Sequence, residues 1–304
     1  MQRDTTRDTN PAELCGLLSL DKPTGLTSRD IVDLVARPLR KWKVKAGHAG
    51  TLDPLASGVL VVCVGPATRL IEYVQRSPKT YRTVVRLGAR SDTLDADGRV
   101  EETPDARDPG LAAVRTAVVA QVGTILQRPP AYSALKVGGR RAYDLARAGE
   151  AVDLAPRPVT IDRVDVLSYA WPRLELEIGC GGGTYVRSIA RDVGDSLGCG
   201  GLVEVLVRTA IGPFTLADAV DPRSLTAETI PGLLRPALDA LSTLPVVAVD
   251  AAGVADLARG RSAAASVDGP GEVAVVGPDG RLVAVAEADP ATGRVSPRRV
   301  LVGI

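Results

Sequence analysis

The chain has little of several things. One histidine, one phenylalanine and one methionine occur in 304 residues, and aromatics make up only 3%. Alanine, valine, arginine and glycine are abundant instead, a bias that a GC-rich genome produces without structural demand. Neither sign of charge is in excess, with 37 Lys and Arg against 36 Asp and Glu. A net charge of +1 sets up no global field for a polyanion, so any nucleic-acid surface must be a local patch. The four cysteines, Cys15, Cys63, Cys180 and Cys199, form no Cys-x-x-Cys pair. That argues against a zinc site and suits a reduced, cytoplasmic setting. No run is long and apolar enough to span a bilayer, and Met1 to Asn10 is polar with no signal core, so no membrane partner is expected. Residues 179–183 are glycine-rich, but no Gly-Lys-Ser/Thr follows and no Gly-x-Gly-x-x-Gly is complete, which leaves a nucleotide-triphosphate site poorly supported.

What is present describes a globular protein of ordinary apolar content, 45%, and charged content, 24%. The length suits one large domain plus a small one, or two domains. Gly16 to Leu20 reads as a strand, Asp21 to Gly25 as a turn, and Thr27 or Ser28 as the cap of a helix carrying Ile31, Val32, Leu34 and Val35. Val59 to Val64 is an apolar, β-branched run of strand length. Residues 67–75 read as a helix. Lys79 to Leu87 alternates, so Tyr81, Thr83, Val85 and Leu87 share one face of a strand. Residues 110–122 read as a helix, 157–167 and 173–180 as a hairpin-like pair of strands, and 202–211 as another strand. Thr184 is placed to cap an amphipathic helix with Val186, Ile189, Ala190, Val193 and Leu197 on one face. From Val246 onward, short valine-rich segments alternate with Gly, Pro and Asp turns. The expected division is a disordered tail over 1–12, a main domain over 13–243 and a small β-rich domain over 244–304.

The most informative stretch is Gly47-His48-Ala49-Gly50-Thr51-Leu52-Asp53-Pro54-Leu55-Ala56-Ser57-Gly58. It holds the single histidine and an aspartate among turn-forming neighbours, just before the Val59–Val64 strand. A loop leading into a buried strand holds a polar side chain on a rigid base, where catalytic residues often sit. Asp-Pro is also an ordinary turn former, and a lone histidine is more often structural. Two further segments bear on the choice. Arg40, Lys41, Lys43 and Lys45 form a basic stretch before the motif. Residues 127–143, rich in Pro, Gly, Tyr and basic groups, read as an insertion within about 124–155. Basic groups neutralise phosphates and tyrosines stack on exposed bases, although a solvated loop has the same composition. Asp95-Ala96-Asp97-Gly98 resembles a calcium-loop fragment, but Thr93 and Pro104 stand where ligands would be needed, so it reads as an acidic hairpin turn.

Taken in order, these segments resemble the bacterial tRNA pseudouridine-55 synthases of the TruB family over nearly all of residues 14–215. The resemblance rests on Asp21-Lys22-Pro23-Thr24-Gly25-Leu26-Thr27-Ser28, on Gly47 through Gly58, and on Gly65-Pro66-Ala67-Thr68-Arg69. It continues through Lys79-Thr80-Tyr81, Pro129 to Lys136, Arg141-Ala142-Tyr143 and Gly183-Thr184-Tyr185-Val186-Arg187. It implies an α/β (α+β) pseudouridine-synthase fold with a mixed, largely antiparallel central sheet, and a small C-terminal PUA-like β domain. It implies isomerisation of uridine at position 55 in the T loop of tRNA, with no cofactor and no metal.

The resemblance also implies roles. Asp53 attacks or stabilises the ribose or the base, as carboxylates do in glycosyl chemistry. Tyr81 stacks near the target base and serves in proton removal from C5. Arg187 pairs with Asp53, keeping a buried carboxylate ionised. Tyr185 and Leu206 line the uracil pocket, and His48 occupies the space that the flipped base vacates or supports the flipped loop. By position and charge, Arg40, Lys41, Lys43, Arg140 and Arg141 are expected on phosphates. The family commonly has Leu-Arg-Arg-Thr where this chain has Leu206-Val207-Arg208-Thr209. The expected partner is the T arm of tRNA, met by a monomer without guide RNA. An RNA-folding protein with little catalysis and an RNA-guided synthase are the competing readings. The Asp53, Tyr81 and Arg187 set speaks against the first, and the short C-terminus and the basic-aromatic insertion against the second.

Overall fold

A computed structural model describes residues 14–133, 135–137, 139–150 and 153–302, apart from the side chains of Lys136, Arg141 and Ala146. The expected tail over 1–12 lies outside the described residues.

The first half of the main domain runs β1 (Gly16–Lys22), α1 (Ser28–Leu39), β2 (Ala46–His48), β3 (Ser57–Val64), α2 (Ile71–Arg76), β4 (Lys79–Leu87), β5 (Ala89–Ser91), β6 (Val100–Glu102), α3 (Leu111–Val119) and β7 (Gly123–Gln127). The second half runs β8 (Lys136–Val137), β9 (Arg140–Arg141), α4 (Ala142–Arg147), β10 (Arg157–Ala170), β11 (Arg173–Cys180), α5 (Val186–Ser196), β12 (Gly201–Ile211), β13 (Phe214–Thr215) and α6 (Ile230–Leu233). Then follow β14 (Val246–Ala248), α7 (Ala251–Ala258), β15 (Ala263–Ala264), β16 (Gly271–Val276), β17 (Leu282–Asp289) and β18 (Arg294–Val300).

Nine strands form the main sheet in the order β1-β3-β12-β4-β11-β10-β7, with β2 added on β3 and β13 on β12. Its pairings are antiparallel except β12 with β3, where Val207 and Arg208 run parallel to Ser57 and Gly58. The mixed, largely antiparallel sheet is therefore as expected. A second sheet of five strands, β14-β16-β17-β18-β15, forms the C-terminal domain.

The apolar run of β3 has a simple explanation. Leu60, Val62 and Val64 point into a core shared with α1, α3 and α5, through residues such as Ile31, Val118 and Ile189. Val59, Val61 and Cys63 point the other way, into a cluster with Tyr73, Val74, Phe214 and Leu241. A strand buried on both faces shows no alternation. The second cluster also takes in Ala274, Leu282, Val285 and Leu301, so the five-stranded sheet packs on the back of the main one. Polar contacts seal this junction: Tyr73 Oη donates to Glu272 at 2.9 Å, Arg299 meets Glu72 at 3.0 Å, and Arg69 donates to the Val300 carbonyl.

Four local expectations are revised. Asp21 and Lys22 continue β1 rather than turning, because they pair with Val59 and Gly58. Residues 67–75 divide into a 3-10 segment over Gly65–Leu70 and α2 over Ile71–Arg76. The helix after the glycine-rich turn is capped at Tyr185, not Thr184, and with no side-chain bond of its own. Residues 123–127 are an edge strand of the main sheet paired with β10, so the insertion leaves the sheet only after Gln127. Thr27 caps α1 with a reciprocal bond to Asp30, a capping box. Among the described residues no helix is long and apolar enough to cross a membrane.

Candidate active site

The loop bearing Asp53 is held from several sides. Ser28, the first residue of α1, accepts from the Leu52 N–H at 2.8 Å and donates to the Leu52 carbonyl at 3.0 Å. The Gly25 N–H donates to the Pro54 carbonyl at 2.8 Å, and the Ala56 N–H to that of Asp53 at 3.1 Å. Gly58 closes the loop with φ +96°, and a Cβ there would lie 2.3 Å from the Arg208 carbonyl oxygen. Only glycine allows both this backbone angle and this approach. Lys22, fully buried beneath the loop, donates to the Pro23 and Leu26 carbonyls at 2.9 and 2.6 Å. Burial pushes its amine down to about 8, against the pull of Asp53.

A pocket of about 280 Å³ opens beside this loop. Asp53 stands on one side. Tyr81 and Lys79 rise from β4, Leu206 and Arg208 from β12, and Tyr185 and Arg187 from the start of α5. Alternation along β4 and β12 brings these pairs to one face, and the ladder sets Arg208 opposite Tyr81. The pocket is apolar along Tyr81, Val186 and Leu206 and charged at Asp53, Lys79, Arg187 and Arg208, the usual composition of a small-molecule or nucleobase site.

Arg187 organises the charge. Its guanidinium meets Asp53 at 2.9 Å and Asp95 at 3.4 Å. It also donates to the Thr93 carbonyl at 2.7 Å and to the Tyr132 carbonyl at 2.9 Å. The arginine side chain is 5% exposed and that of Asp53 37%, so the carboxylate faces the opening while its partner is locked behind it. Planar guanidinium donors suit this multiple recognition better than an ammonium would. Asp95, also buried, has its carboxyl raised above the usual range by burial, against the opposing effects of Thr93 and Arg187.

Tyr81 is buried, and burial pushes its phenol up, although the nearby Arg208 pulls the other way. A phenol in this state is a neutral ring and a hydrogen-bond donor at neutral pH, better suited to stacking on a base than to removing a proton. Lys79 Nζ donates to the Gln75 and Ser77 carbonyls at 2.6 and 2.7 Å, and burial followed by the Arg208 charge pushes it down to about 8.

The structure brings together Asp53, Tyr81, Arg187, Tyr185 and Leu206 at the pocket. Other expected residues stand apart from it. His48, on β2, pairs with Val62 of β3 and does not line the pocket. Arg40, Lys41 and Lys43 are exposed at the end of α1, with Lys41 over the Trp42 ring at 4.6 Å. Arg140 is paired with Glu150 at 2.9 Å. The side chain of Arg141 lies outside the described set. Val207, the departure from the family pattern, points to the face opposite Leu206 and Arg208 and does not line the pocket.

Sequence reasoning missed Asp95, Lys79 and Arg208. Asp95 was absorbed into an acidic turn, and only its burial against Arg187 separates it from its neighbours. Lys79 was legible in principle, since the alternation through Tyr81, Thr83 and Val85 extends back to it.

Comparison with known proteins adds context. Residues 37–186 match the model of the TruB family pseudouridylate synthase N-terminal domain. The chain is 43% identical over 300 residues to tRNA pseudouridine synthase B of Burkholderia pseudomallei, covering 95% of this chain and 97% of that one. It is 38% identical over 296 residues to the protein of the same name from Xanthomonas oryzae pv. oryzae, covering 96% and 95%. Among solved structures, a chain of a Cbf5-Nop10-Gar1 complex superposes with a TM-score of 0.73 at 25% identity, covering 95% of this chain and 85% of that one.

Proposed function

Because this chain belongs to the TruB family of pseudouridylate synthases, an isomerase family, we propose that it converts uridine to pseudouridine at position 55 in the T loop of tRNA. The observation that carries the catalytic reading is the 2.9 Å pair of Arg187 with Asp53 at the mouth of a pocket walled by Tyr81 and Leu206.

The reaction breaks the C1′–N1 bond, turns the base, forms a C1′–C5 bond, and exchanges the proton on C5 for one on N1, so that the net change is an isomerisation. Asp53 acts on the flipped-out nucleotide, as nucleophile or as stabiliser of positive charge on the ribose. Arg187, fixed by Asp95 and by the Thr93 and Tyr132 carbonyls, holds the Asp53 carboxylate aimed. Tyr81 stacks on the uracil as a neutral ring, and Leu206 and Tyr185 exclude water. His48, away from the pocket, acts on the surrounding loop of the RNA rather than in the chemistry. Arg40, Lys41, Lys43, Arg140 and Arg141 meet phosphates further along the T arm. Arg140 would exchange Glu150 for a phosphate on binding. The C-terminal sheet serves as a PUA-like RNA-contacting domain. A monomer in the cytoplasm, working without cofactor or guide RNA, completes this reading.

Incubation with unmodified tRNA and mapping of pseudouridine tests it. The expected product is pseudouridine at position 55, lost by at least about a thousandfold in Asp53→Asn with RNA binding kept within about threefold. No product from the wild type on bare tRNA would sink the stand-alone reading. The likeness to a chain of a Cbf5-Nop10-Gar1 complex makes guided modification the second reading, and activity that appears only with added guide RNA would select it.

A further inference from the structure

Positive charge in the pocket is not fully matched. Arg187 faces two carboxylates, Asp53 and Asp95. Arg208 instead donates to the Val59 carbonyl at 2.7 Å and the Gly50 carbonyl at 3.3 Å. Lys79 likewise donates to two carbonyls, those of Gln75 and Ser77, at the end of α2. Among the described residues no carboxylate forms an ion pair with either Arg208 or Lys79. Of the three cations that line the pocket, only Arg187 has carboxylate partners, so the charges of Arg208 and Lys79 are offset by no ion pair. A bound nucleotide brings one negative charge per phosphodiester.

Lys79 is the less buried of the two, 8% exposed against 1% for Arg208. An ammonium has three N–H donors and two are engaged, so a third is available in a side chain that lines the pocket. Lys79 lies two residues before Tyr81 on the same face of β4, about 7 Å along the strand. It stands at the end of β4 beside Cys180, where the chain enters the turn before Tyr185.

We propose that Lys79 contacts a phosphate flanking the nucleotide held in the pocket, making the site a combined base and phosphate receptor. The proposal rests on the RNA-modifying reading above. Burial and the Arg208 charge both disfavour this ammonium in the free protein, and an arriving phosphate offsets both. A purely structural lysine that closes the end of α2 would hold the same two carbonyls but take no part in binding charge.

The test uses the full chain and a T-arm stem-loop already carrying pseudouridine, so that no turnover intervenes. Affinity is measured from 50 to 200 mM salt for the wild type, Lys79→Gln and Lys79→Arg. Glutamine keeps amide donors for the α2 carbonyls without the charge. The expected result is a salt slope lower by about 0.7–0.9 in Lys79→Gln, about threefold over this range, and an unchanged slope in Lys79→Arg. A neutral methylphosphonate at one of the two phosphates flanking the target should weaken the wild type and leave Lys79→Gln indifferent. An unchanged slope in Lys79→Gln overturns the proposal. If that variant does not fold, the wild type alone decides: no loss with methylphosphonate at either position overturns it. Pseudouridine formation by the wild type is scored separately, so a failure of the proposed activity is distinguishable from a failure of the Lys79 contact.

Discussion

Gln127 and Tyr185 exchange two hydrogen bonds across 58 residues of sequence: the Tyr185 N–H donates to the glutamine oxygen at 2.8 Å, and the glutamine amide donates to the Tyr185 carbonyl at 3.1 Å. Gln127 ends the edge strand β7 and is 1% exposed. Its side chain does for Tyr185 what a neighbouring strand would do, and Tyr185 is the N-cap of the helix that carries Arg187. Gln127→Leu should leave both groups unpaired and cost about 2–3 kcal/mol. The check is the urea midpoint at unchanged m-value, together with a fall in pseudouridine formation. An unchanged midpoint would show that water replaces the amide.

Asp95→Asn separates aim from charge. The variant keeps the shape but gives Arg187 one carboxylate in place of two. Charge-assisted bonds of this kind are worth about 1.5–3 kcal/mol, so turnover should fall about ten- to a hundredfold with KM nearly unchanged. Stability should respond in the opposite sense. The folded-state carboxyl is raised above its unfolded value, so the folded protein holds this proton more tightly. Stability from this group is present at low pH and is lost as pH rises above the ordinary carboxylate range. At pH 7 the asparagine variant should therefore unfold at no lower urea than the wild type. On acidification the wild type should gain relative to it.

Gly58→Ala should be severe. The added Cβ would lie 2.3 Å from the Arg208 carbonyl oxygen, at a φ of +96° that disfavours any side chain. Relief requires β12 to move away from β3 where Arg208 pairs with Gly58. A loss of more than about 3 kcal/mol is expected, read by thermal or urea unfolding. Gly25→Ala is the control: its φ is +82° but nothing lies within 4 Å of the new Cβ, so its cost should be smaller, about 1 kcal/mol.

Two thiols should be inert. Burial pushes Cys63 up to about 12 and Cys180 up to about 11. The thiolate is the reactive form, so neither should react with iodoacetamide at pH 7.5 in the folded protein. Both should label in denaturing urea, as counted by mass spectrometry. Labelling of Cys63 in the native protein would mean that β1 or the C-terminal sheet opens.

Much of this was legible in order along the chain. The β3 run, the alternation through Tyr81 and the amphipathic face of α5 follow from local periodicity, which the core satisfies without adjustment. Asp53 stood out because glycines and a proline surround it. The cap at Tyr185 was not legible, since the residue that satisfies it, Gln127, sits on another strand. Nor was the importance of Asp95, which shares an acidic turn with Asp92 and Asp97 and differs from them only in what lies behind it.

Local order thus settled most of the elements and their buried faces, because side-chain period and turn chemistry act between near neighbours. Which charges meet was settled by the tertiary structure alone. The strand ladder sets Arg208 opposite Tyr81, and packing of α5 against the sheet carries Arg187 between Asp53 and Asp95. Ion pairing and burial depend on distances through space, and residues 53, 95 and 187 come within reach only when the sheet is assembled.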